Sequence, residues 1–523
     1  MRRSVAAVLV ALSTALTVVP ATSGSAATAP TASSDTRSAA AGATRADAVR
    51  VLDRVAGLLG GTVTRTLGRA AHQGARPDAT LAMTDLFRVL PDLTGGDRTR
   101  AESLLARPTD GPADDYGDGY LVPSTKKCST HFCLHWVTTT GDAPPNRAWV
   151  NKTLSTMNKV WRLEVKELGY RAPVTDGSHG GNNKFDVYLK DVGGKGLYGY
   201  CAPEYRAAGQ RFIASGYCVL DDDFAKSQFG APPVNSLKVT AAHEFFHAVQ
   251  FAYDYAEDHW FMEATATWME ERFADDVNDN RQYLPYSQVK RPGTALDIFN
   301  QNGFNQYGNW TFFEYLSERY GKGVVRAIWN KAYAAKGAPD AYSIQAVRQV
   351  LNGKGGFLGI FRAYSAANAI AYRSYAEGSH WPHAEIAKSW LLGKSARHGS
   401  TRTTIDHLAS RHFVIKPDQS LEGSRWTARV TIDAPGRSVT PAAYLVVKRK
   451  SGSWVKKGIP LTSGGYGKAT FSFSKAEVKS ATITLVNGST RYRCWRNGTV
   501  YSCQGNPRDE NKQFGLKVAV FKS

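Results

Sequence analysis

Two histidines one helical turn apart, with a glutamate directly after the first, are the residues of this 523-residue chain whose spacing points most directly to chemistry: His243-Glu244-Phe245-Phe246-His247. No Gly or Pro interrupts the segment VTAAHEFFHAVQFAYDY, and Asn235 or Ser236 can cap its start, so the pattern predicts a helix. On a helix, positions i and i+4 lie one above the other, which lets both imidazoles address a single cation. Glu244 sits beside them, offset enough to reach a water on that cation rather than the cation itself. With 12 His and 16 Glu in the chain, chance predicts roughly 0.01 occurrences of this pattern. Its bland counterpart is a helix with two satisfied histidines. Such a helix, or a purely structural metal site, has no use for the intervening acid.

A catalytic zinc takes three protein ligands and keeps one position open. The metzincin extension would place Gly at 250 and His at 253, where this chain has Gln250 and Tyr253. The better third ligand is Glu263 in WFMEATATWMEE, where small Ala264 and Ala266 allow a second helix to pack closely on the first. Rival acids and imidazoles are Glu257 and His259 in the turn between the helices, and Glu270 and Glu271 beyond Glu263. Glu270 is expected as a solvated charge, with a hydrogen bond to a liganding histidine as the alternative.

HEFFH followed by E-A-T-A resembles the gluzincin branch of zinc peptidases. There H-E-x-x-H is completed by a Glu on a following helix, although the fifteen residues between His247 and Glu263 are slightly fewer than in thermolysin or the membrane alanyl aminopeptidases. Together with KFDVYLKDVG upstream, the run resembles a group of bacterial secreted metalloproteases with a peptidase-MA-like domain, over roughly residues 125–400. The resemblance implies Zn2+ held by His243, His247 and Glu263, Glu244 as general base, and hydrolysis of peptide bonds in extracellular proteins or peptides. Zinc would lower the pKa of its water toward ~7. Glu244 would take that proton and deliver it to the leaving amine. Gluzincins also use a Tyr or His from the helical half to stabilise the oxyanion, and Tyr307, Tyr315, His380 and His383 all remain open for that role.

The elements that must position these groups suggest an α+β, zincin-like catalytic domain at 125–415, a mixed sheet plus helices. Pro145 opens a helix striped by Val150, Leu154, Met157, Trp161 and Val165, with Gly169 after its end. Lys184 to Val192 and Tyr217 to Leu220 read as strands. Beyond His243 the pattern turns helical, including Asn309 to Tyr320 and Ile360 to Tyr375. Asp221, Asp222 and Asp223 lack the alternating spacing of a calcium loop and are expected as a solvated turn.

The flanks set the context. Arg2 and Arg3, an apolar run from Val5 to Val19, and small residues around Ala27 form a signal-peptide pattern for 1–27. Residues 28–120 hold an Ala/Ser/Thr-rich linker and three short helical patterns between Thr44 and Pro108, a small helical segment read as a propeptide or a permanent N-terminal extension. Asp110 to Tyr120 is the expected boundary. The six cysteines fall as sequence neighbours, 128 with 133, 201 with 218 and 494 with 503, and no C-x-x-C occurs, so three short disulfides in an oxidising compartment are the simplest reading. Alternation at 426–432, 469–473, 481–485 and 514–521 predicts an all-β sandwich-like domain at 421–523. From Leu421 onward, 18 Lys and Arg face 5 Asp and Glu. That excess favours an anionic partner such as a cell-wall polymer, with solubility as the plain alternative. No motif speaks for nucleic acid, and no later apolar run is long enough for a membrane span. Asn487 and Asn497 fit glycosylation sequons but are expected as turns. The competing functional class is a wall- or surface-binding protein whose zinc site is structural or vestigial; an exported hydrolase of a non-peptide substrate would share the metal site.

Overall fold

A computed structural model describes residues 44–60, 79–110, 119–300, 303–423, 425–495 and 500–522. The signal-peptide segment, Asn497 and much of the 110–120 boundary lie outside them. The fold is α+β: a helix-and-mixed-sheet body followed by a β-rich region. The three helical patterns at the N-terminal end form α1 (Arg45–Leu59), α2 (Thr80–Val89) and α3 (Gly95–Leu105). Thr44 and Asp47 cap α1 reciprocally, and its apolar stripe of Ala48, Leu52, Val55 and Leu59 is buried.

The central sheet has the order β1-β2-β3-β5-β4, from β1 (Thr125–Cys128), β2 (Phe132–Trp136), β3 (Phe185–Lys190), β4 (Gly199–Arg206) and β5 (Ala214–Asp221). Strands β2, β3 and β5 run parallel, whereas β1 and β4 are antiparallel at the two edges. Helix α4 (Arg147–Trp161) is capped by Asn146, whose side chain accepts the N–H of Trp149. Helix α5 (Pro233–Asp254) begins at Pro233, earlier than its expected caps Asn235 and Ser236. Proline suits the first helical turn, where its missing N–H costs nothing. Nearly every residue of α5 from Ser236 onward is buried: Phe245 packs against Phe132, Trp161 and Phe185, and Phe246 against Tyr170 and Trp329. Helix α6 (His259–Phe273) lies against α5, and the remaining large helices, α7 (Trp310–Tyr320), α8 (Gly323–Ala332), α9 (Ser343–Asn352) and α10 (Phe357–Asn368), complete the body.

The β-rich region starts at Ile386 rather than at 421. Ile386–Leu392 and Ala409–Pro417 pair into one five-stranded sheet with the later strands, and His398–Ile405 into a four-stranded one. Phe413, Ile415, Ala428, Val430, Ile432, Ile483, Leu485, Leu516 and Val518 fill a separate core between the two sheets, the arrangement of a sandwich. All three cysteine pairs are bonded as neighbours, 128–133, 201–218 and 494–503. This fits a chain that matures outside the reducing cytoplasm. Among the described residues, no helix is long and apolar enough to cross a membrane. Asn487 is fully buried, and its amide donates to the carbonyls of Ile405 and Asp509, so it serves the sandwich rather than a glycan.

His407 joins the β-rich region to the body. Its Nε2 lies 2.8 Å from Asp297 and its Nδ1 2.9 Å from Glu510. Burial alone would lower this imidazole, but the two carboxylates outweigh it and raise the pKa to about 10. The folded pKa exceeds the unfolded value of about 6.5, so the contribution is complete below that pH and disappears as pH rises through about 10. Charge-assisted hydrogen bonds are worth roughly 1.5–3 kcal/mol. Wild-type urea midpoints should therefore fall between pH 7 and 10, and His407→Gln should flatten that fall.

Candidate metal centre

Helices α5 and α6 bring His243, His247 and Glu263 together. The two Nε2 atoms are 3.1 Å apart. Glu263 Oε2 lies 3.3 Å from His243 Nε2, and Oε1 lies 3.7 Å from His247 Nε2. Ligand atoms placed tetrahedrally at ~2.0–2.1 Å around one zinc are roughly 3.3 Å apart. The Glu263 side chain is fully buried, and neither of its oxygens accepts a hydrogen bond. An ionised carboxylate in that position is costly without a compensating charge, so the donor set fits a divalent cation.

The remaining contacts fix which nitrogens are free. Gln250 Nε2 donates to the carbonyl of Met262 at 2.9 Å, so Oε1 is the end of the amide that meets His247 Nδ1, at 2.7 Å. A carbonyl oxygen only accepts; His247 therefore carries its proton on Nδ1 and presents the Nε2 lone pair. His243 Nδ1 lies 2.7 Å from Glu270 Oε1, which selects the same tautomer. Glu270 is thus buried against His243 rather than solvated, and burial raises its carboxyl to about 7. The face was legible in the seven-residue step from Glu263; the burial depended on what packs over it. Gln250 was missed, although its place three residues after His247 puts it on the same buried side. Partners of this kind orient ligands and typically change metal affinity 10–100-fold when removed. Gln250→Ala should weaken zinc binding by about that factor in chelator competition, with Gln250→Glu closer to wild type; unchanged affinity in Gln250→Ala would remove the orienting role.

Glu244 is buried beside the trio, and its Oε2 accepts a hydrogen bond from Thr80 on α2 at 2.9 Å. A small cleft opens over His243 and Glu244, walled by Tyr198, Val239, Asp279, Tyr283 and Tyr307. Of the four oxyanion donors left open, Tyr307 alone lines this cleft, with its ring 6.2 Å from that of His243. Tyr315 packs with Tyr364 and Tyr375, and His380 and His383 are exposed elsewhere. The other three rivals, unlike Glu270, have partners away from the trio. Glu257 accepts the N–H groups of Asp258 and Ser343, His259 pairs with Asp85, and Glu271 with Asn280.

Asp221 and Asp222 do not form a solvated turn. Both are buried, and Asp221 accepts the N–H groups of Gly193 and Phe224. Burial, together with the neighbouring acids, raises the two carboxyls to about 7 and about 8. The turn sits at the end of β5 and is built on backbone donors.

No curated protein matches the chain. Among solved structures, similarity is found to a mitogen of Yersinia pseudotuberculosis, at 9% identity over 24% of this chain and 87% of that one, with TM-score 0.14. It is also found to CorA of Methylomicrobium album BG8, a surface-associated copper-binding protein, at 9% identity over 26% and 98%, with TM-score 0.16. Likenesses this faint carry nothing over to this chain. Residues 113–353, which hold the sheet, α5, α6 and the whole trio, match the model of a family described as a family of unknown function (DUF6055).

Proposed function

We propose that this chain is an exported zinc-dependent peptidase. The observation that carries the reading is Glu244: a purely structural site would need His243, His247 and Glu263, with Glu270 and Gln250 to orient the imidazoles, but not the further buried carboxylate of Glu244. Zinc held by these three residues would act as a Lewis acid, polarising a carbonyl and making water acidic near neutral pH. Glu244 takes the proton of the attacking water and returns it to the leaving amine. Glu270 and Gln250 hold the imidazoles in one tautomer throughout. The apolar packing beneath α5 keeps the floor of the site dry, which strengthens every charge interaction in it. The basic C-terminal region would retain the enzyme on anionic wall polymers near protein or peptide substrates. The cysteine pairing and the N-terminal signal pattern support export.

The test is direct. The purified protein should take up one equivalent of zinc and cut casein or a mixed-peptide pool. Cutting should stop with 1,10-phenanthroline and return on zinc addition. Zinc uptake without any cleavage would favour the binding-protein reading, and no uptake would remove the metal site altogether.

A further inference from the structure

Strand β4 is the open edge of the central sheet and runs beside Glu244. In an antiparallel pair, opposed residues that exchange hydrogen bonds sit ~5.5 Å apart at Cα, whereas those with outward-facing N–H groups sit ~4.5 Å apart. Cys201 and Cys218 oppose each other with Cα atoms 4.0 Å apart, so the Cys201 N–H faces the open edge. An extended peptide adds to such an edge by giving its carbonyls to these N–H groups. Here the position is filled: Cys201 N–H donates to Thr80 Oγ1 at 2.9 Å. The same hydroxyl donates to Glu244 Oε2 at 2.9 Å. Thr80 thus accepts where a substrate carbonyl would and donates to a carboxylate oxygen that must take a proton from water.

The element carrying Thr80 is firmly seated. Helix α2 packs along β4 with Thr80 to Phe87 buried. Asp85 on α2 pairs with Arg54, Arg88 and His259, the last being the first residue of the helix that bears Glu263. Further along, the Tyr217 hydroxyl donates to the carbonyl of Ala106, and Arg107 is fully enclosed by Asp176, Asp186 and Glu204.

We propose that helix Thr80–Val89 is an intramolecular inhibitor of the metal centre, its Thr80 hydroxyl occupying at once the open edge of β4 and the general base. The proposal rests on the peptidase reading and makes the N-terminal helices a brake rather than a passive extension. A peptide lying along β4 and α2 compete for the same N–H.

The test uses the full chain loaded with cobalt(II), whose visible spectrum reports binding of acetohydroxamate, alongside casein cleavage by the zinc form. Thr80→Val should bind acetohydroxamate at least about five-fold tighter than wild type and cut casein faster, as expected for loss of a hydrogen bond to a charged group. Thr80→Ser should stay close to wild type. Asp85→Asn loosens the seat of α2 without touching Glu244; it should shift both readouts the same way and carries the test if Thr80→Val fails to fold. Equal acetohydroxamate affinity in all variants would overturn the brake and leave the peptidase reading standing. Weaker binding and slower cleavage in Thr80→Val would make Thr80 a positioning residue for Glu244 and likewise overturn it. Tighter binding with no cleavage in any variant would keep the occlusion and sink the peptidase reading. No cobalt uptake would sink both.

Discussion

On the peptidase reading, Glu244→Gln is expected to bind zinc as wild type does and to lose casein cleavage by about 10²–10⁴-fold, the usual contribution of a positioned general base. The amide has nearly the shape of the carboxylate, and its oxygen can still accept the Thr80 hydroxyl that now meets Glu244 Oε2. It cannot take up a proton. The ligand atoms belong to other residues, His243, His247 and Glu263, and the tautomers are held by Glu270 and Gln250, so metal content should be unaffected. Zinc per chain, measured by mass spectrometry of the metal, and kcat/KM on a peptide pool are the two readouts. Cleavage within ten-fold of wild type would mean that another group moves the proton. Loss of zinc would mean that Glu244 itself is a ligand.

The trio could be read in the sequence because helical periodicity is local. His243 and His247 share a face by spacing alone, and Ala264 and Ala266 flag a close helix contact that carries Glu263 toward them. What lies around the trio was much less legible. Thr80 stands 164 residues before Glu244, and no local pattern records that their side chains meet. Glu270 and the pair Asp221 and Asp222 were expected in water because carboxylates usually are. Their burial is decided by helices and loops that pack over them. Gln250 shows a milder failure: its place was visible, but its task follows only once Met262 accepts from its amide.

The sandwich shows the same limit from the strand side. Trp426–Asp433 and Val478–Asn487 bury alternate or successive apolar residues, and their period was readable. Ile386–Leu392 is exposed along almost its whole length, and His398–Ile405 alternates among Ser, Thr and Arg. Both lie at the ends of their sheets. Edge strands have little core to face, so their sequences carry little of the apolar rhythm that marks a strand.

The largest stability effect is expected at Arg107. Its guanidinium is wholly buried. Nε lies 2.5 Å and one terminal nitrogen 2.7 Å from the two Glu204 oxygens, the other terminal nitrogen lies 2.6 Å from Asp186, and Asp176 closes the set. Asp186 in turn meets His135 at 2.8 Å. Removing one partner of a buried ion pair leaves uncompensated charge and typically costs 3–5 kcal/mol, so Arg107→Ala should lower the unfolding free energy by about that much. Arg107→Lys should recover only part of it, since an ammonium cannot match a two-point fork while also reaching a second carboxylate. Glu204, whose carboxyl burial already raises in the wild type, would rise further without its guanidinium. A carboxyl with a folded pKa above its unfolded value makes the protein less stable as pH climbs past it, and the penalty eases when acid protonates the group. The gap between Arg107→Ala and wild type in urea midpoint should therefore be widest at pH 7 to 8 and narrow toward pH 5. A gap that widened on acidification would mean that the three carboxylates are not what Arg107 holds in check.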